Sequence, residues 1–335
     1  MSHKKGYAKL QGIRCCSGYK VTLIKYKSVV ALLIFMLIVS AITPDFFSAH
    51  NILNILRQTS VNAIIAMGMT FVILTGGIDL AVGSILAFTG ALAASMISMG
   101  LNIGLAAILT LAAGTCLGCL SGVVVAKGKV QAFIATLATM TFLRGATMVY
   151  TDGRPVTALG GEGTDLFAMI GSGHLLGIPL PVFVMMIIFF LAWFVLQHTC
   201  FGRYVYAVGG NESATRLSGI NVDRIKIAVY GISGLLSAVA GIIITSRLCS
   251  AQPTAGSGYE LDAIAAVVLG GTRLSGGRGQ VMGTLIGALI IGVLSNALNM
   301  LNISSYYQLV VKALVILLAV LVDTRSPRWL RSCYS

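Results

Sequence analysis

Nearly uncharged apolar runs recur along this chain, near residues 28–44, 59–75, 84–99, 103–126, 130–150, 178–197, 226–246, 261–270, 281–299 and 305–322. A helix of about 20 residues crosses the hydrocarbon core of a bilayer, and most of these runs are of that length. Hydrophobic residues make up 57% of the chain and charged residues only 10%, against about 25% charged in an ordinary soluble domain. The runs are continuous rather than alternating over about 10 residues, which excludes a β-barrel. The largest polar intervals, 151–177 and 198–225, leave no room for a soluble catalytic domain. The expected fold is therefore an all-α polytopic membrane protein with about ten transmembrane segments.

The basic residues orient these segments. A net charge of +13 would otherwise point to a nucleic-acid partner, but its placement excludes one. Lys4, Lys5, Lys9, Arg14, Lys20, Lys25 and Lys27 precede the first apolar run with no acid among them. Such a cluster beside a transmembrane helix is a cytoplasmic anchor facing anionic membrane lipid. With ten crossings and a cytoplasmic N-terminus, the inner loops carry Lys127, Lys129, Arg203, Arg216, Arg224, Lys226, Arg273 and Arg278, and the tail adds Arg325, Arg328 and Arg331. These groups hold 18 of the 23 basic residues. The outer loops carry Arg57, Arg154 and Arg247, and the 151–177 loop sets Asp152, Glu162 and Asp165 against one arginine. Arg144 and Lys312 fall within spans. The expected layout is a basic cytoplasmic segment at 1–27, a transmembrane domain at 28–322 and a cytoplasmic tail at 323–335. Both termini face the cytoplasm. No clear A-x-A site follows residues 28–43, so the first helix is expected to be retained rather than cleaved as a signal peptide.

Cysteines follow the same layout. Cys15, Cys16, Cys200 and Cys333 face a reducing compartment and Cys249 stands alone near the outer face, so no intramolecular disulfide is expected. Cys116 and Cys119 sit in an apolar run without polar partners and are expected to pack as small side chains. Gly114, Gly118 and Gly122 share one helix face, as do Gly283 and Gly287, which lets neighbouring helices approach closely.

Two stretches interrupt the apolar pattern. "ILTGGIDLAVGSILAF" (73–88) sets Gly76, Gly77, Asp79 and Gly83 between apolar runs. "LGGTRLSGGRGQVMGTLIGALIIG" (269–292) opens with Gly270 and Gly271 and follows the same order of run, break and helix. Paired glycine-broken helices in two halves of a membrane protein are a sign of an internal repeat in transporters; on this short match the repeat stays open. Backbone freed at a break must be satisfied by protein or by a water-filled cavity. Asp79 has two readings. It caps the helix that starts near Leu80, or, as an intramembrane acid, it binds a proton or cation.

The loop "AVGGNESATRLSGINVDRIKI" (207–227) contains a short helix: Asn211 is an N-cap, Glu212 lies in the first turn and Gly219 supplies the stop. Glu212 and Arg216 are four apart and share a face, with Ala214 between them. The helix is either a solvated connector or a docking element for a cytoplasmic partner. No G-x-x-x-x-G-K-[ST] occurs, so the chain carries no P-loop. It also lacks the dense acid and histidine chains of proton-driven pumps, and no G-x-S-x-G or H-E-x-x-H accompanies Asp79 and Asp262 to make a hydrolase. No cofactor is expected, and no substrate-binding residue can be assigned. An autonomous channel or ion-coupled carrier using Asp79 or Asp262 stays as the alternative.

"NAIIAMGMTFVILTGGIDLAVGSILAFTGALAASM" (62–96), "VQAFIATLATMTFLRGATMVYTDGRPV" (130–156), "GRYVYAVGGNESATRLSGINVDRIKI" (202–227), "CSAQPTAGSGYELDAIAAVVLGGT" (249–272) and "SSYYQLVVKALVILLAVLVD" (304–323) resemble the permeases of bacterial ABC importers for ribose and related simple sugars. The resemblance runs from about residue 25 to 323; the extended basic N-terminus departs from it. It implies a pore subunit rather than an enzyme, in the bacterial inner membrane. The implied partners are a cytoplasmic ATP-binding-cassette ATPase, a periplasmic sugar-binding protein and a second permease copy. It also implies that the loop at about 207–225, with Asn211, Glu212, Ala214, Arg216 and Gly219, contacts the ATPase, and it favours the structural reading of Asp79.

Overall fold

The computed structural model describes residues 27–157 and 164–325. Residues 1–26, with Cys15 and Cys16, Glu162, and the tail from 326 with Cys333 lie outside the described residues. Among those described are thirteen α-helices: α1 Lys27–Ile42, α2 Ala49–Leu74, α3 Val82–Ser98, α4 Ile103–Ala126, α5 Ala132–Thr151, α6 Thr164–Ser172, α7 Leu180–His198, α8 Cys200–Gly210, α9 Glu212–Leu217, α10 Val222–Leu248, α11 Tyr259–Leu269, α12 Val281–Met300 and α13 Ser305–Arg325. One 3-10 turn (Pro44–Phe47) and a hairpin of two-residue strands, β1 His174–Leu175 and β2 Ile178–Pro179, are the remaining regular elements.

Six of these helices are long and apolar enough to cross a membrane: α2, α4, α5, α7, α10 and α12. The protein is a helical, polytopic membrane protein. The shorter helices among the expected spans have local causes. α3 has 17 residues because the chain stays non-helical from Thr75 to Ala81. α11 has only 11 residues, about 17 Å at 1.5 Å per residue, because the chain before it is irregular up to Gly258. α2 begins at Ala49, not near 59: Ser48 caps it, accepting from Asn51 N–H. Arg57, expected in a loop, therefore lies within a helix. The two long intervals are not bare loops, since they hold α6 and α8.

Burial sorts the spans into a centre and a rim. In the most apolar window of α2, α10 and α12, 78, 72 and 67% of residues are buried; for α4, α5 and α7 the shares are 22, 22 and 28%. The rim helices turn Ile108, Leu120, Phe142 and Phe190 outward. In a bilayer such side chains face lipid tails, and helix contact is driven by close packing. That packing is built from glycine. A side chain at Gly118 would collide with the Tyr230 carbonyl, and one at Gly234 with the Gly114 carbonyl, so α4 and α10 meet backbone to backbone. Gly283 and Gly287 do the same for α12 against Ala266 of α11 and Gly270, the residue that follows α11. Cys119 packs against Gly231, while Cys116 is exposed.

Candidate functional site

The short helix α9 is closed at both ends by its own residues. Asn211 Oδ1 accepts from Ala214 N–H at 3.0 Å. At the other end Gly219 (φ +82°) donates to Arg216 O at 3.1 Å and Ile220 to Thr215 O at 3.4 Å, a Schellman stop that needs the left-handed residue. The helix buries only Thr215; Ala214 is exposed and Leu217 is 89% exposed.

Four charges fasten α9 to α10. Glu212 Oε2 takes Lys226 Nζ at 2.7 Å, and Arg216 reaches Asp223 Oδ1 at 2.7 Å and Glu212 Oε1 at 3.4 Å. The pairing expected within the helix is thus the longest of the three, and the closer partners come from the first turns of the next helix. A hydrogen bond from Lys226 and the charge of that lysine, with Arg216 adding less, hold the Glu212 carboxyl below its ordinary value of 4.5 against the opposing effect of partial burial. Asp223 and Lys226 carry no motif of their own. Their only signal is the order of signs 212 minus, 216 plus, 223 minus, 226 plus, which becomes legible once Gly219 is known to turn the chain back.

α8 sits on the two glycine-rich interruptions, and α9 lines a cavity beside them. Gly209 of α8 lies so close to Leu74 O that any side chain would collide with it, and Tyr206 Oη donates to Gly279 O at 2.9 Å. The interruptions touch each other: Gly277 N–H donates to Leu74 O at 2.9 Å, and Gly276 packs on Gly76. A cavity of about 520 Å³ opens here, walled by Gly76, Gly77, Lys129, Glu212, Lys226 and Tyr230 among others. The structure therefore brings Gly76 and Gly77 together with Glu212 and Arg216, two groups that no sequence pattern joins.

Asp79 lies farther in and is fully buried. Its Oδ1 accepts Ala81 N–H at 3.0 Å and its Oδ2 accepts Ser233 Oγ–H at 2.7 Å. The first contact is a turn one step before α3, whose own N-cap position is Ala81. Ser233 lies about 17 Å along α10 from Val222 at 1.5 Å per residue, so this carboxylate stands deep in the bundle. Gly83, in the first turn of α3, abuts the Gly256 carbonyl and the Glu260 carboxylate, so the starts of α3 and α11 meet. Gly270 and Gly271 close α11, the latter at φ +86°. Asp262 pairs with Lys312 of α13 at 2.9 Å and accepts from Asn62 of α2 at 3.4 Å. Arg144 donates to Ala255 O at 2.8 Å. Among the described residues no cluster of three or more His, Cys, Asp or Glu could hold a metal ion.

A family described as the permease component of the branched-chain amino acid transport system matches residues 51–320. The chain belongs to this permease family. The permease is 68% identical over 301 residues to the ribose import permease protein RbsC of Haemophilus influenzae, covering 90% of this chain and 93% of that one. It is 61% identical to the ribose import permease of Escherichia coli K12 (91% and 95% covered). The xylose transport system permease protein XylH of Escherichia coli K12 is 36% identical (93% and 95% covered). No solved structure matches the permease.

Proposed function

We propose that this chain is the transmembrane subunit of an ATP-driven importer that carries ribose across the bacterial inner membrane. The observation that carries this reading is 68% identity to a ribose import permease over nine-tenths of both chains, against 36% for the xylose permease. The expected assembly has two permease copies in contact with membrane lipid, a cytoplasmic ATPase that hydrolyses ATP, and a periplasmic binding protein that delivers sugar. Both termini face the cytoplasm in this reading, and ten segments enter the membrane.

The α9 region supports docking of the ATPase. A helix that exposes Leu217 almost completely, yet is capped at both ends and pinned to α10 by two ion pairs, is stiff enough to push and has an apolar knob to be gripped. The stretches 75–81 and 270–280 are read as breaks of related half-helices, supported by their mutual contact through Leu74 and Gly277. Asp79 and Asp262 already hold protein partners, which supports the ATP-driven reading over an ion-coupled carrier or an autonomous channel.

Deleting the gene from its host tests the substrate. Growth on low ribose should stop and return with the plasmid-borne chain, while growth on xylose persists. Unchanged ribose growth together with lost xylose growth would overturn the assignment.

A further inference from the structure

The fastening of α9 continues into the bundle. Lys226, which holds Glu212 at 2.7 Å, is followed at four and seven residues by Tyr230 and Ser233, all on one face of α10. Tyr230 Oη stands 3.4 Å from Ile78 O, and the same hydroxyl crowds any side chain placed at Gly77. Ser233 Oγ donates to Asp79 Oδ2 at 2.7 Å. Asp79 in turn holds Ala81 N–H, and two residues later Gly83 abuts Gly256, just before α11. An unbroken series of polar and backbone contacts therefore joins the exposed helix to the buried starts of α3 and α11.

We propose that Lys226 and Ser233 are positioning residues of a relay: α10 carries displacement of α9 to the Asp79 turn and so sets where α3 and α11 begin. The proposal rests on the docking role of α9 given above. Several features favour α10 as the carrier. α8 also touches both interruptions, but at Leu74, Gly277 and Gly279, short of the 78–81 turn. α10 is continuous for 27 residues and contacts α9, α3 and α2, so it moves as a rod. Surface ion pairs such as Glu212–Lys226 add little stability; their value here is to fix where α9 stands relative to α10.

The test uses the purified permease–ATPase complex in lipid vesicles with binding protein, reading sugar imported per ATP hydrolysed. Ser233→Ala should keep the ATPase bound and basal hydrolysis intact, and both Ser233→Ala and Lys226→Ala should lower the yield per ATP at least about fivefold, the low end for coupling between two sites. Lys226→Arg keeps the charge, and Asp79→Asn keeps a hydrogen bond to Ser233; both should stay within about twofold of wild type, the spread of a substitution that breaks no specific contact. A wild-type yield in either alanine variant would overturn the relay. Equal losses in the conservative and alanine variants would also overturn it, because the contacts would then not be what matters. Absence of ATP-driven uptake in the wild-type complex would overturn the importer reading itself.

Discussion

Asp79 shows how one residue serves two demands. A carboxylate removed from water needs its lone pairs satisfied, and Asp79 meets that need with Ala81 N–H and Ser233 Oγ. By doing so it fixes both the turn before α3 and the contact of that turn with α10. Asp79→Asn keeps the acceptor for Ala81 and faces Ser233 with an amide. Asp79→Leu leaves the buried Ala81 N–H without its partner, at about 1–3 kcal/mol. Thermal unfolding of detergent-purified protein should therefore show a lower midpoint for Asp79→Leu and a near-wild-type midpoint for Asp79→Asn. An unchanged midpoint in Asp79→Leu would show that the carboxylate does not hold this turn. That Asp79 makes a local turn was legible in the sequence, because a carboxylate among glycines before an apolar run is a turn signal; the expected cap of a helix at Leu80 is instead a turn closed on Ala81, itself the N-cap position of α3. The second partner of Asp79 was not legible, because Ser233 is 154 positions away and lies in a run where a lone serine carries no pattern.

At the scale of the element, α9 could be read almost residue by residue: Asn211 opens it and Gly219 closes it. Short-range chemistry is written locally, and caps act within four residues. What fastens α9 is not local, and Asp223 and Lys226 come into reach only once the chain reverses. The same contrast separates α4, α5 and α7, whose apolar runs mark them, from α6 and α8, which are too short for such a run. The charge set also fixes a pH dependence. Because Glu212 titrates below its ordinary value, its pairing contributes stability that is present above that value and lost only as pH falls through the lower, folded-state value. The fastening of α9 is thus intact throughout the neutral range. ATP hydrolysis per sugar imported should hold constant from about pH 8 to pH 5.5, above the window set by a depressed carboxylate. Loss of coupling within that range, at constant assembly, would show that a different group controls α9.

At the scale of the molecule, the permease is organised around a buried centre of α2, α10 and α12, with apolar rim helices outside. The composition made the membrane setting plain, and the helical class followed from continuous apolar runs. The depth of each helix did not follow, because a run of apolar residues has the same composition whether its helix is long enough to cross, as α10 is, or starts inside the bundle, as α11 does. As the pore subunit of an importer, this chain is a passive path driven from outside itself. Its described residues show a cavity walled in part by the short helix α9, glycine-packed helices and acids held by protein partners. The most direct measurement is uptake of labelled ribose into sealed vesicles, with the permease alone, with the ATPase subunit, and with the ATPase and loaded binding protein together. Accumulation against a gradient only in the complete, ATP-supplied system is the predicted result. Equilibration of ribose through the permease alone, or accumulation driven by an ion gradient without ATP, would contradict it.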